Sequence, residues 1–255
     1  MKRTLIPVLL IFILIFTTYC NEPDKSESFS FVFMTDVHLK PENNAPEGFK
    51  KAIEKINLLN PDFVISGGDQ IDDALEQSYE RADLLFNMYS DHVKTLKMPI
   101  YNVLGNHDIF GIYKKSGIDP SHPLYGKKMF EKILNKKHYS FDHKGWHFII
   151  LDGIGFTPER RYYGYMDSLQ LVWLKNDLAH VDKKTPIVIS THIPLFSIYG
   201  QMKNGPTFAM GQGSVVTNAL DVIKSLENHN LRLVLQGHLH IVEEIRYGGT
   251  TYITG

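Results

Sequence analysis

Phe29-Ser30-Phe31-Val32-Phe33-Met34-Thr35-Asp36-Val37-His38 decides how this chain is read. A compact apolar run is the mark of a buried strand. This one stops on a carboxylate and an imidazole, two side chains that bind metal ions. The pattern returns twice downstream. Phe63 to Ser66 runs into Gly67-Gly68-Asp69, and Pro99 to Leu104 runs into Gly105-Asn106-His107-Asp108. Between the first two runs, Pro46 to Leu59 carries Phe49, Ala52, Ile53, Ile56 and Leu59, a helical stripe with proline near its first turn. Between the second and third, Ala74 to Lys94 is helical in character. Asp36 and Asp69 are 33 residues apart, and Asp69 and Asn106 are 37 apart, spacings that each fit one βαβ unit. Parallel strands joined in this way present their sites beyond their C-terminal ends. Asp36, Asp69 and Asn106 are therefore expected to converge at one rim of one sheet in an α/β domain.

The second half of the chain continues the theme. Residues 109–137 are irregular, with a helical stretch near Tyr125 to Leu134. His138 to Asp142 and Trp146 to Leu151 flank His143-Lys144-Gly145 and predict a hairpin. Thr157 to Tyr165 reads as a polar, aromatic and basic loop, and Ser168 to His180 as a helix. Ile187 to Ser190 is a strand-like run stopping at Thr191-His192-Ile193-Pro194. A long loop from Pro194 to Gly213 follows, then a helical stretch from Val215 to Leu226. Leu231 to Leu235 stops at Gly237-His238-Leu239-His240. Ile241 to Arg246 and Thr250 to Thr254, around Gly248-Gly249, predict a second hairpin.

Five strand ends thus deliver Asp36, His38, Asp69, Asn106, His192, His238 and His240. Oxygen and imidazole donors without a thiolate suit two borderline divalent ions, with Mn, Fe or Zn the candidates. Such a pair is suited to attack on phosphorus. Asp69 is the natural bridge, because a carboxylate can hold two cations. Gly67 and Gly68 let the backbone pass close to them. His238 and His240, two residues apart, share a face if the segment is extended. His107 is adjacent to Asn106 and must point elsewhere. It is read as the group that stabilises charge on a phosphate or protonates a leaving oxygen, with Asp108 expected to hold its ring. A lone Asp at a strand end is usually a turn residue, and a lone His is usually surface or core. His92, His147, His180 and His229 are assigned to that class. The motif residues are not, since five coincidences at matching strand ends would be required. Arg160 and Arg161 offer a bidentate grip on a phosphate, but residues of a polar loop are read first as solvated.

The bulk numbers set the frame. With 255 residues, 43% of them hydrophobic, the chain is large enough for one domain with a sizeable core. A formal net charge of -1 gives no polybasic signal for nucleic acid. The N-terminus stands apart. Lys2 and Arg3 precede an uncharged run from Leu5 to Tyr19, shorter than the roughly 20 residues of a spanning helix. Residues 1–20 read as an export signal of the lipoprotein type, ending at Cys20. Residues 21–28 read as a polar linker and 29–255 as the folded domain. Cys20 is the only cysteine, so no internal disulfide is available. The expected location is the cell envelope, with the domain anchored to a bacterial membrane through lipidated Cys20. Nothing in the sequence specifies an oligomeric state.

In their order and residue types these motifs resemble the calcineurin-like metallophosphoesterases over roughly residues 29–254. The resemblance implies a four-layer α/β/β/α sandwich with two divalent ions at the sheet edges. It implies that Asp36, His38, Asp69 and His240 hold one ion, and that Asp69, Asn106, His192 and His238 hold the other. His107 takes the position of the family's catalytic histidine. The implied reaction is hydrolysis of a phosphomonoester or phosphodiester by a hydroxide bridging the metals. Gly68-Asp69-Gln70-Ile71-Asp72-Asp73 lacks the arginine of the serine/threonine phosphatases. Asp72 stands where purple acid phosphatases place tyrosine and where the family's repair nucleases often place histidine. Tyr139-Ser140-Phe141-Asp142, Leu151-Asp152 and Gln170-Leu171-Val172-Trp173-Leu174 are similar to the cyclic-nucleotide phosphodiesterase-like branch. Two other readings stay open: a non-catalytic metal-binding scaffold, and a hydrolase of phosphate linkages in envelope glycans or lipids. The sequence stops at Gly255 directly after a strand-like run, where relatives usually continue, so the expectation is a minimal or a truncated member.

Overall fold

A computed structural model describes residues 28–255. The expected signal at 1–20, with Cys20, and the linker up to residue 27 lie outside the described residues. Among those described, no helix is long and apolar enough to cross a membrane.

Strand β1 (Phe31–Met34), helix α1 (Ala45–Leu59), β2 (Phe63–Ser66), α2 (Tyr79–Val93) and β3 (Ile100–Asn102) form two successive βαβ units. Their strands pair in parallel in the order β1-β2-β3. After α3 (Lys128–Ile133) comes the hairpin of β4 (Tyr139–His143) and β5 (Trp146–Leu151), then a small hairpin of β6 (Ile154–Phe156) and β7 (Tyr162–Gly164). The chain continues through α4 (Ser168–Leu178), β8 (Pro186–Thr191), α5 (Tyr199–Asn204), α6 (Ala219–Ser225), β9 (Asn230–Gln236), β10 (Glu243–Tyr247) and β11 (Thr250–Thr254). The second sheet has six strands in the order β10-β11-β9-β8-β5-β4. Its four central strands are parallel, and the two hairpin strands at its edges, β4 and β10, are antiparallel.

Local chemistry explains most boundaries. Both predicted hairpins close through two residues with positive φ, Lys144 and Gly145 (44° and 79°) and Gly248 and Gly249 (60° and 85°). That pair of left-handed residues matches the right-handed twist of the strands. Helix α2 starts later than its apolar pattern suggests. The Asp73 carboxylate accepts from the backbone N–H of Leu75 (2.9 Å) and Glu76 (3.3 Å) and holds a turn there. The helix begins only after Ser78, whose hydroxyl caps Arg81 N–H at 3.3 Å. The β6–β7 hairpin falls across the stretch read as a loop; its strands are three residues each and carry no clear alternation.

Alternation along the strands sorts the core into layers. Phe63 and Ile65 of β2, Phe148 and Ile150 of β5, Val188 of β8 and Leu235 of β9 face one another between the sheets. Phe31, Phe63 and Phe148 meet there, stacked at 5.3 Å and edge-on at 5.1 Å. The intervening residues Ile149, Leu151, Ile187, Ile189 and Val234 face outward and pack with Leu174 and Leu178 of α4 and Val222 of α6. Phe49 and Ile53 of α1 pack with Leu85, Phe86 and Tyr89 of α2 on the other side. The result is the α/β/β/α layering. Both sheets end their parallel strands on the same side, so five loops meet at one rim.

Candidate metal centre

The backbone at this rim is unusual. Asp36 (φ 54°), His38 (46°), Asp69 (51°), His238 (75°) and His240 (51°) all lie in the left-handed region. That region is uncommon for residues with a Cβ and unfavourable by about 1–3 kcal/mol each. The surrounding hydrogen bonds force it. Asp36 N–H donates to Gly68 O (3.1 Å), His38 N–H to Asp69 O (3.0 Å) and Leu39 N–H to Gln70 O (3.0 Å), so the β1 and β2 loops stay paired beyond the strands. Gly237 N–H donates to His192 O at 2.9 Å and ties the β8 and β9 loops in the same way. Two glycines are required by space. A Cβ on Gly105 would collide with the backbone and carboxylate of Asp69, and one on Gly68 (φ 103°) would strike the His192 ring.

The side chains converge into two clusters that share Asp69. In the first, His240 Nε2 lies 3.2 Å from Asp36 Oδ1 and 3.1 Å from His38 Nε2. His38 Nε2 lies 3.9 Å from Asp36 Oδ1 and 3.7 Å from Asp69 Oδ2. In the second, His192 Nε2 lies 3.1 Å from the same Asp69 Oδ2 and 3.2 Å from Asn106 Oδ1. His238 joins it, with ligand atoms of Asp69, His192 and His238 all within 4.8 Å of one another. Asp69 Oδ1 is turned away and accepts from His107 N–H at 2.8 Å. One oxygen of Asp69, rather than one on each side, therefore stands between the clusters.

Backbone carbonyls orient two of the imidazoles. His192 Nδ1 lies 2.9 Å from Gly67 O and His238 Nε2 lies 2.8 Å from Gly213 O. Each leaves the other ring nitrogen for the cluster, as ligating histidines require. Burial opposes ionisation of Asp69, but neighbouring His192 outweighs it and holds the carboxyl far below its ordinary range. Burial likewise disfavours the His192 imidazolium, yet Asp69 raises it to about 9. Burial, aided by the charge of His192, pushes His238 down to about 4, and burial also lowers His38. A buried carboxylate that draws positive charge, beside the His38 and His238 imidazoles whose protonated forms burial disfavours, suits a cation, which competes with protons for the same lone pairs. The donor set of carboxylate, amide and imidazole fits two borderline divalent ions.

The structure thus brings together all seven residues expected to bind metal. His107 is beside them, its ring edge-on to His38 at 4.8 Å and its side chain 34% exposed. The expectation for Asp108 needs correction. Its carboxylate is fully buried and points away from His107, accepting from the backbone N–H of Gly105 (2.8 Å), Asp69 (3.0 Å) and Gln70 (3.0 Å). The short helical turn at Asn106–Asp108 aims successive side chains in different directions, so neighbours in sequence do not share a target. Asp108 shapes the Asp69 loop instead. Burial and the Asp69 charge push its carboxyl well above the ordinary range, against the pull of the N–H donors. The carboxylate that faces His107 is Asp73, with Oδ1 3.7 Å from Nδ1, and burial raises its pKa. Nδ1 of His107 is buried without a hydrogen-bond partner, which leaves Nε2 as its outward nitrogen. Tyr162, edge-on to His238 at 6.2 Å, also lines the centre. Asp73 lies beyond the end of β2, and Tyr162 opens the short strand β7 rather than following an apolar run, so neither carries the pattern of a ligand directly after a strand-like run.

The calcineurin-like phosphoesterase family model matches residues 29–242. No curated protein matches the sequence. Among solved structures, a dimetal phosphatase from Danio rerio superposes with a TM-score of 0.63 at 16% identity, over 89% of this chain and 86% of that one. A purple acid phosphatase from yellow lupin gives 0.59 at 16% identity, over 89% of this chain and 43% of the other. GAP50, the anchor in the inner membrane complex of Plasmodium, gives 0.55 at 18% identity, over 89% and 70%. At such identities the structural likeness shows the fold alone.

Proposed function

The chain belongs to the calcineurin-like phosphoesterases, metal-dependent hydrolases of phosphoric esters, and we propose that it cleaves a phosphomonoester or phosphodiester at a centre of two divalent ions. Asp36, His38, Asp69 and His240 would hold one ion, and Asp69, Asn106, His192 and His238 the other. The observation that carries this reading is the position of Asp69 Oδ2, 3.7 Å from His38 and 3.1 Å from His192, between the two clusters. When bound, such a pair of ions supplies a hydroxide nucleophile at neutral pH and positive charge for the phosphoryl oxygens. The protein's own groups do the rest. Left-handed backbone at five ligands and the carbonyls of Gly67 and Gly213 fix the donors before substrate arrives. His107 reaches past the ligands and donates a proton from Nε2 to the leaving oxygen. Asp73 Oδ1 stands 3.7 Å from the other ring nitrogen, Nδ1.

Asp69→Asn is the decisive variant. It keeps the shape and removes the charge between the clusters. Elemental analysis after Mn loading is expected to give two ions per chain for the wild type and fewer than one for the variant. Turnover is expected to fall by about 10³-fold or more, the scale of losing an electrostatic stabiliser. Wild-type protein that holds two ions but turns over no ester in a panel of mono- and diesters would behave as a scaffold and end the enzymatic reading.

The domain is further proposed to act in the cell envelope, tethered through lipidated Cys20. Lys2-Arg3, the uncharged run from Leu5 to Tyr19 and the single cysteine after it support this reading. Mass analysis of the mature N-terminus tests it; an unmodified chain retaining residue 1 would rule it out.

A further inference from the structure

Arg160 and Arg161 stand side by side in sequence, but the fold gives them different work. Arg160 is consumed by the backbone. Its guanidinium donates to the carbonyls of Gly111 (2.5 Å), Ile112 (2.7 Å), Tyr113 (3.2 Å) and Ile118 (3.0 Å), and so pins the segment after the His107 turn. Arg161 is exposed and lies over the ring of Tyr113, 5.3 Å from its centroid. Among the described residues it forms no ion pair; the nearby carboxylate of Glu76 is taken by Lys115 at 3.0 Å. Both arginines line a cavity of about 440 Å³ with Tyr113, Lys114, Lys115, Glu76 and Glu159. Four cationic side chains there face two carboxylates.

Two aromatic contacts link the lining of this cavity to the metal centre. The ring of Tyr113 is nearly parallel to that of Tyr162, at 10° and 6.4 Å between centroids. Tyr162 in turn stands edge-on to His238. On the other side, Tyr113 N–H donates to Leu75 O at 2.9 Å, close to Asp73, which faces His107. Two tyrosine rings therefore form a floor that runs from a metal ligand to an unpaired guanidinium.

We propose that Arg161, with Lys114, forms an anion subsite that binds a second phosphoryl group of the substrate, so that the preferred substrates carry two phosphate groups joined by an organic spacer. A guanidinium that is preorganised on an aromatic face and has no carboxylate partner matches a phosphoryl oxygen pair. The tyrosine floor accommodates the spacer. This assignment rests on the phosphoesterase reading of the neighbouring centre and specifies its substrate class.

Hexyl phosphate and hexanediol bisphosphate form a matched pair of probes that differ only in the distal phosphate. With Mn-loaded wild-type protein, kcat/KM is expected to be about tenfold higher for the bisphosphate, the lower end for a charge-assisted contact at an exposed site. Arg161→Met is expected to abolish that preference through KM alone. Its kcat and its kinetics on hexyl phosphate should stay at wild-type values, and Arg161→Lys should restore part of the preference. Equal kcat/KM for the two probes in the wild type, or a loss in Arg161→Met that is the same for both, overturns the subsite. Calorimetric titration of metal-free protein with hexanediol bisphosphate separates this from failure of the catalytic reading. Binding that Arg161→Met weakens, without turnover of either probe, would uphold the subsite and break the esterase mechanism. Turnover of both probes with binding indifferent to Arg161 would do the reverse.

Discussion

The space between the two sheets and the rim where those sheets end are built from the same strands by opposite rules. Between the sheets, Phe31, Phe63, Ile65 and Phe148 sit on regularly paired strands and pack through apolar surface. A few residues further along the same strands, Asp69 and His192 place polar groups in buried positions beside half-buried Asp36, and five ligands adopt left-handed backbone. The first region makes stability and the second uses it. Polar groups packed together in strained conformations persist only when the structure around them over-determines their place. Here the inter-sheet core and the paired β1–β2 and β8–β9 loops provide that support.

His107→Ala tests the rim where no ligand is lost. Turnover of an ester with a poor leaving group is expected to drop by about 10²–10⁴-fold while two metals stay bound. An ester whose leaving group needs no proton should be hydrolysed with a much smaller loss. Unchanged turnover on the poor leaving group would remove His107 from the chemistry. In the core, Phe63→Ala should lower unfolding free energy by about 3–5 kcal/mol, the usual range for an aromatic truncated in a packed interior. Chemical denaturation reads this directly, and a loss under 1 kcal/mol would mean that the sheets are not held by their aromatic layer.

Relief of backbone strain at the rim is expected to act in the opposite sense and more weakly. His240 is exposed and left-handed, at φ 51°. His240→Gly should stabilise the metal-free protein by about 1 kcal/mol while weakening metal retention. A metal-free variant that melts below wild type would show that the left-handed backbone at His240 carries no strain.

The smallest expected effect concerns a polar exception inside the outer packing. His147 of β5 is held by Asp142 at 2.7 Å and Asp177 at 2.9 Å. Burial disfavours its imidazolium, but the two carboxylates prevail and raise its pKa above the ordinary 6.5. A raised pKa means that the folded state binds the proton more tightly than the unfolded state. The stabilisation is therefore complete below the unfolded value and fades as pH rises through the folded one. The melting-temperature gap between wild type and His147→Gln should narrow as pH rises above the ordinary 6.5 of histidine. A gap that widens over that rise would reverse the assignment.

Much of this was legible along the chain because two signals were local. Apolar runs followed by ligand residues at intervals of one βαβ unit located β1, β2 and β3, and the same ending marked β8 and β9. The turn segments His143-Lys144-Gly145 and Gly248-Gly249, each between two strand-like runs, marked both hairpins. The start of α2 was not legible, because the side chain of Asp73 rather than the apolar pattern sets it. The β6–β7 hairpin was missed because three-residue strands carry too little alternation to read.

The sequence by itself determined an α/β architecture and which seven side chains follow strand-like runs, since each depends on periodicity, residue type and spacing along the chain, and the order of those motifs carried the family resemblance that implied the layering. Only the tertiary structure decided what those side chains face. It turned Asp108 away from His107 onto the backbone of the Asp69 loop, and set Asp73 in its place. It locked Arg160 into carbonyls nearly fifty residues away and left Arg161 free beside the site. Side-chain direction at the end of a strand depends on backbone dihedrals imposed by hydrogen bonds from other loops, and no single segment of sequence contains them.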